Sequence, residues 1–209
     1  MANNDATTLS ITPERRAALG RRARLLAWVT LGYNALEAIA AVTAGIVASS
    51  VALISFGGDS IVECLSALVI LWQFRGIAQE RERQALRLIA VSFFVLAAYV
   101  SVDALRSLID GADPKPSPVG IGLAALSLLV MPFLSWAKRR TGAELGSPTV
   151  VADSVQTLLC TYLSAVLLVG LLANSLVGWG WADPIAALIV AAVALREGVE
   201  AWRGQGCDC

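Results

Sequence analysis

Glu37, Asp59, Glu63, Asp103 and Asp153 stand inside stretches of chain that are otherwise almost wholly apolar. A carboxylate in hydrocarbon costs several kcal/mol, so such residues usually face an ion path or a partner. Arg106, one turn from Asp103, is the only arginine or lysine at a matching depth. Glu37, Asp59, Glu63 and Asp153 are therefore expected to be protonated or to face a cation that the chain does not supply. The chain has no histidine. That excludes serine–histidine triads and histidine-based zinc hydrolases.

Spacing narrows the chemistry. Asp59 and Glu63 are four residues apart, so both leave one face of a helix. Asp153, Gln156, Thr157 and Cys160 follow at i, i+3, i+4 and i+7, again on one face. Carboxylate, amide and hydroxyl oxygens suit hard divalent cations, and a thiolate draws the preference toward zinc. Two such faces meeting in a bundle would hold a divalent cation through Asp59, Glu63, Asp153, Gln156 and Cys160. Glu37, Thr157 and Asp103 are expected beside that set, as outer contacts or proton carriers. The competing reading is a group of structural acids that hold helices together.

Such residues need elements that carry them across lipid. Of 209 residues, 57% are hydrophobic and 15% charged, against roughly half and a quarter in soluble domains. Six apolar stretches occur, at about 25–48, 51–74, 86–108, 119–137, 149–173 and 183–202. Each approaches the roughly 20 residues that a spanning helix needs. The fold class expected is all-α, an integral membrane bundle of six transmembrane helices. Its parts are a cytoplasmic N-terminal segment (1–24), a six-span transporter domain (25–203) and a short cytoplasmic tail (204–209). All of the 16 lysines and arginines except Arg106 and Lys115 fall on one side when the N-terminus is cytoplasmic. Lys138 is counted there with Arg139 and Arg140. The positive-inside rule then puts both termini in the cytoplasm. The balanced charge, 16 basic against 16 acidic, gives nucleic acid no attraction.

Local signals mark the ends. Thr12-Pro13-Glu14 reads as an N-cap, a first-turn proline and a first-turn acid. Ser147-Pro148 and Asp183-Pro184 are expected to open the fifth and sixth spans in the same way. Asp110–Pro116 reads as a turn-rich loop, and Pro132 is expected to bend the fourth span. No cleaved leader is expected, because no short apolar core with a cleavage site follows the N-terminus. Gly58-Asp59-Ser60-Ile61 echoes Ala152-Asp153-Ser154-Val155, as in repeat-built transporters.

These residues give the chain a resemblance. The stretch from about Leu25 to Arg203 resembles the cation diffusion facilitator family of six-span, proton-coupled divalent-cation carriers. That family's second span reads S-x-x-L-x-A-D-A-x-H-S-x-x-D. Ser50 to Glu63 fits this frame, with Asp59 and Glu63 on the ligand positions. The fifth-span pattern, A-D-x-x-H-x-x-x-D, is matched by Ala152 to Cys160, with Gln156 and Cys160 on the ligand positions. Asp153 is expected to supply charge that Gln156 does not. Gly178 to Pro184 and Glu197 to Trp202 are also similar to the family's sixth span. The family's usual cytoplasmic metal-sensing domain is expected to be missing after residue 203, and the Cys207-Asp208-Cys209 tail is a candidate metal capture point.

The resemblance implies efflux of a divalent metal in exchange for protons, with zinc favoured and manganese, iron(II) or cadmium possible. It also implies a homodimer in a lipid membrane, the bacterial inner (plasma) membrane. A non-transporting membrane scaffold is the main alternative. An enzyme is not expected, since no nucleophile–base pair or phosphate loop occurs.

Overall fold

The structure, a computed structural model, describes residues 12–74, 78–111 and 115–203, with the backbone alone at 78–86, 89 and 148. Met1–Ile11, Arg75, Asp113-Pro114, the Arg81 and Arg83 side chains and the Cys207-Asp208-Cys209 tail fall outside this description. Among the described residues there are six helices and no strand. They are α1 (Pro13–Ala48), α2 (Val51–Gln73), α3 (Ala78–Asp110), α4 (Pro118–Leu145), α5 (Pro148–Val177) and α6 (Ala182–Trp202).

Short polar residues set several of these ends. Thr12 Oγ1 accepts from Arg15 N, Ser50 Oγ from Leu53 N and Ser117 Oγ from Gly120 N. Each satisfies a first-turn N–H that has no partner within the helix. α1 thus starts at Pro13, as the Thr12-Pro13 signal predicts, and runs without a break through Arg24. Ser147 takes the cap position of α5 but makes no side-chain capping bond. The expected cap at Asp183 is corrected. α6 begins at Ala182 with Trp181 in the cap position, two residues earlier than expected, and the Asp183 carboxylate reaches across to α2. It accepts from Ser50 Oγ and from Ala52 N. The first turn of α2 has free N–H groups and the positive end of the helix dipole, which together attract a carboxylate. α4 remains helical through Pro132.

Five helices are long and apolar enough to cross a membrane: α1, α2, Ala90–Asp110 of α3, α4, and Thr149–Val177 of α5. α6 carries Asp183, Arg196, Glu197 and Glu200 within its 21 residues and is not among them. The main packing pairs are α1 with α2, α4 with α5, and α3 with α6. α2 is central and also touches α3, α5 and α6.

Glycine makes the closest of these approaches possible. A Cβ on Gly57 would lie 2.7 Å from Val42 Cγ2 and 3.1 Å from the Val42 backbone nitrogen. One on Gly45 would lie 2.9 Å from Ile54 N. Leu53, Phe56, Leu167, Leu171 and Ala124 form an apolar plug toward the α1–α2 turn. Leu36, Ile39, Val47, Leu129, Phe133 and Val169 point outward as an exposed apolar belt.

Candidate metal centre

α2 and α5 run antiparallel, and their polar faces meet as a ladder. Ser66 Oγ donates to Asp153 Oδ1 at 2.9 Å. Thr157 Oγ1 donates to Glu63 Oε1 at 2.5 Å. One turn further, Asp59 and Cys160 face each other. The register follows from spacing: three and four residues separate the rungs on α2, and four and three on α5. All of these side chains are buried. The two faces singled out by sequence therefore do meet.

The meeting is spread along the axis. Asp59 and Ser66 are seven residues apart, as are Cys160 and Asp153. That separation is about 10 Å of helix rise. One ion held between Asp59 and Cys160 is beyond reach of Asp153 on its own rung. Among the described residues, no three Cys, Asp or Glu side chains converge as a ready metal shell. Gln156 is buried on the same face of α5, and its Nε2 has no hydrogen-bond partner among the described residues.

α1 adds a third face. Ser60 Oγ donates to Glu37 Oε2 at 3.0 Å, and the Tyr33 hydroxyl donates to Glu37 Oε1 at 3.1 Å. Glu37 is 3% exposed and sits beside the Asp59 rung, which its place near mid-span predicts. From α4, Ser127 Oγ lies 3.9 Å from Cys160 Sγ. Asp103 is half-buried on α3, and no ion pair joins it to Arg106 among the described residues. It is not part of this cluster.

The largest correction concerns Lys138. Sequence counting puts it with Arg139 and Arg140 in a cytoplasmic patch and leaves the core acids without a cation. Instead Lys138 is 1% exposed and is the only buried cationic side chain among the described residues. Its Nζ lies 2.8 Å from Asp153 Oδ2 and 3.6 Å from Glu63 Oε1, and donates to Thr157 Oγ1 at 2.7 Å. The reason lies in the face it occupies. Ser127, Met131, Leu134, Ser135, Lys138 and Thr141 recur at helical spacing on the buried side of α4. Arg139 and Arg140, one and two residues on, are rotated outward. The signal available was the recurrence of Ser127, Ser135 and Thr141 with Lys138 at helical spacing, rather than the lysine's neighbours in sequence.

Lys138 pairs with two of the four buried acids, Asp153 and Glu63. With one ammonium for Glu37, Asp59, Glu63 and Asp153, the remaining carboxyls need protons or a further cation. Asp153 is fully engaged by Lys138 and Ser66. Glu63 Oε2 is buried with no hydrogen-bond partner among the described residues. Asp59 and Cys160 lie beyond the direct ion pairs. The cluster can accept further positive charge on the Glu37–Asp59–Glu63 side.

A cation efflux transmembrane domain is matched by residues 87–203, more than half of the chain. The chain belongs to the cation efflux family. It is similar to the cadmium, cobalt and zinc/H(+)-K(+) antiporter of Bacillus subtilis, with 26% identity over 185 residues, 80% of this chain and 56% of that protein. It is also similar to an uncharacterized transporter of Synechocystis, 25% identical over 168 residues, 75% of this chain and 54% of that one. Transmembrane protein 163 of Xenopus laevis is 22% identical over 142 residues, 66% and 50% of the two chains. The chain spans about half the length of the curated relatives it matches. As a member of the cation efflux family with five long apolar helices, it is an integral multi-pass membrane protein. The resemblance to cation diffusion facilitators read from the second and fifth spans therefore holds.

Proposed function

We propose that this chain carries a divalent metal cation, with zinc preferred, across the membrane in exchange for protons. The cation would be held by Asp59, Glu63 and Cys160, with Glu37 closing from α1 and the Gln156 amide within a turn. The observation that carries this reading is the cluster of four buried carboxyl groups contributed by three helices, with Lys138 as the one buried cation among the described residues. Burying carboxylates without enough cations is costly, and a divalent ion or protons would remove that cost. Metal and protons compete for the same oxygens, which couples their movements without histidine. The Bacillus subtilis relative, a cadmium, cobalt and zinc/H(+)-K(+) antiporter, agrees in class. Cys160 favours zinc or cadmium over manganese, with iron(II) between them.

Access fits the same scheme. Buried polar side chains continue from the acids in one direction, as Asn34 and Thr30 on α1 and Gln73 on α2. In the other direction the apolar plug of Leu53, Phe56, Leu167 and Leu171 follows. With both termini cytoplasmic, the polar side opens inward, and residues 25–203 form a six-span carrier with α6 as its last span. The chain would work as a homodimer in the plasma membrane, the inner membrane of a bacterium.

A scaffold with structural acids has one observation behind it, the Lys138–Asp153 pair, which ties α4 to α5. The two readings separate in proteoliposomes that contain a trapped metal dye under an imposed pH gradient. The wild-type chain should admit zinc, and Asp59→Asn should abolish uptake while remaining folded. Equal uptake by Asp59→Asn, or none by the wild type, would leave the scaffold.

A further inference from the structure

Lys138 holds its two carboxylates unequally. Its ammonium is in full contact with Asp153 at 2.8 Å and stands 3.6 Å from Glu63 Oε1. Thr157 lies between, receiving from Lys138 and donating to Glu63 Oε1. The second Glu63 oxygen, Oε2, has no hydrogen-bond partner among the described residues, although Glu63 is 1% exposed. Glu63 thus presents one oxygen to Lys138 and leaves the other to a ligand. Asp153 has a partner on each oxygen, Ser66 on Oδ1 and Lys138 on Oδ2.

We propose that Lys138 is a tethered counter-cation of Glu63, which an incoming divalent cation displaces from Glu63 while Asp153 retains it, and that this exchange sets the metal affinity of the site. The inference rests on the carrier reading above and deepens it. A divalent ion on Glu63 and an ammonium 3.6 Å from the same carboxylate repel each other. One must withdraw. The lysine stem is flexible and its ammonium has three donors, so it can keep Asp153 and Thr157 while releasing Glu63. Asp153 is the seat that makes the withdrawal cheap, and so acts on the metal through Lys138 without touching it. An arginine would hold both carboxylates in a rigid fork and release Glu63 less readily.

Three variants test this, and the first two have opposite expected signs. Asp153→Asn removes the seat, drives Lys138 onto Glu63 and should weaken zinc binding by about tenfold or more. Lys138→Met combined with Asp153→Asn removes the competitor with no change in net charge. It should bind zinc about tenfold tighter than the wild type. Lys138→Arg should bind more weakly than the wild type. Binding is measured with zinc chloride by titration calorimetry on the full chain in mild detergent. Thermal unfolding of each variant confirms that it is folded.

A double variant that stays as weak as Asp153→Asn would overturn the inference and make Asp153 a direct ligand. Unchanged affinity in all three variants would also overturn it. In both cases loss of binding in Asp59→Asn would leave the carrier reading standing. No zinc binding by either the wild type or the double variant, both tested, would remove both readings.

Discussion

Asp183 links two helices through one carboxylate, and its removal has a calculable cost. Asp183→Ala deletes the acceptor for Ser50 Oγ and Ala52 N, which meet it at a buried helix start. A hydrogen bond to a charged group contributes about 1.5–3 kcal/mol, and a buried donor left unpaired costs about 1–3 kcal/mol. A negative charge at a helix N-terminus adds about 0.3–1 kcal/mol. Two effects reduce the total. The carboxylate no longer has to be desolvated, and Ser50 Oγ keeps its bond from Leu53 N at 3.1 Å. The net expectation is a loss of about 2–4 kcal/mol for alanine. Asparagine keeps the shape and one acceptor, so it should lose about 1–2 kcal/mol. At roughly 2–4 °C per kcal/mol for a chain of this length, the alanine midpoint should fall by about 5–15 °C. Tryptophan fluorescence during thermal unfolding in detergent measures this. Ser50→Ala alone and combined with Asp183→Ala completes a cycle, whose coupling should exceed about 1 kcal/mol. An Asp183→Ala midpoint within 2 °C or so of the wild type would refute the capping argument.

Three further outcomes follow from the packing and the charge cluster. Gly57→Leu should separate α1 from α2, because even its Cβ meets the Val42 backbone at 3.1 Å; detergent-solubilised yield and thermal midpoint should both fall, and Gly122→Leu, with open space at its Cβ, is the matched control. Lys138→Met alone leaves Glu63 and Asp153 facing each other, and should cost about 3–5 kcal/mol in denaturant unfolding, most of it restored by Asp153→Asn in the same chain. Glu37→Gln preserves the Tyr33 and Ser60 contacts in shape but removes a charge beside Asp59, so zinc uptake in proteoliposomes should lose part of its pH dependence; an identical pH profile would make Glu37 a structural acid.

Much of this protein is written in local patterns. Hydrophobic runs long enough for lipid specify helices, because no other open backbone arrangement satisfies its hydrogen bonds there. The Thr12-Pro13 start and the i,i+4 placement of Asp59 and Glu63 are likewise local facts. The antiparallel meeting of α2 and α5 follows nearly as directly, since each has one polar face and lipid leaves that face nowhere to go but inward. Glu37 beside Asp59 follows from the two-residue turn, which forces α1 and α2 to pack together.

Sequence could not say which partner each acid would find. Asp183 has the spacing of a cap for its own helix, yet it caps α2, because α2 and α6 come together only in the folded bundle. Lys138 sits in sequence next to two outward arginines, and only the rotation of α4 against α5 turns it toward Asp153 and Glu63. Register between helices also decided that the acids form rungs about 10 Å apart from first to last, where spacing alone suggested one compact shell. The residue types and helix faces thus came from the chain itself, whose 3.6-residue period is a property of the backbone. The pairing of charges came from tertiary packing, because electrostatic partners are selected by distance in space, and sequence does not encode that distance along a single helix.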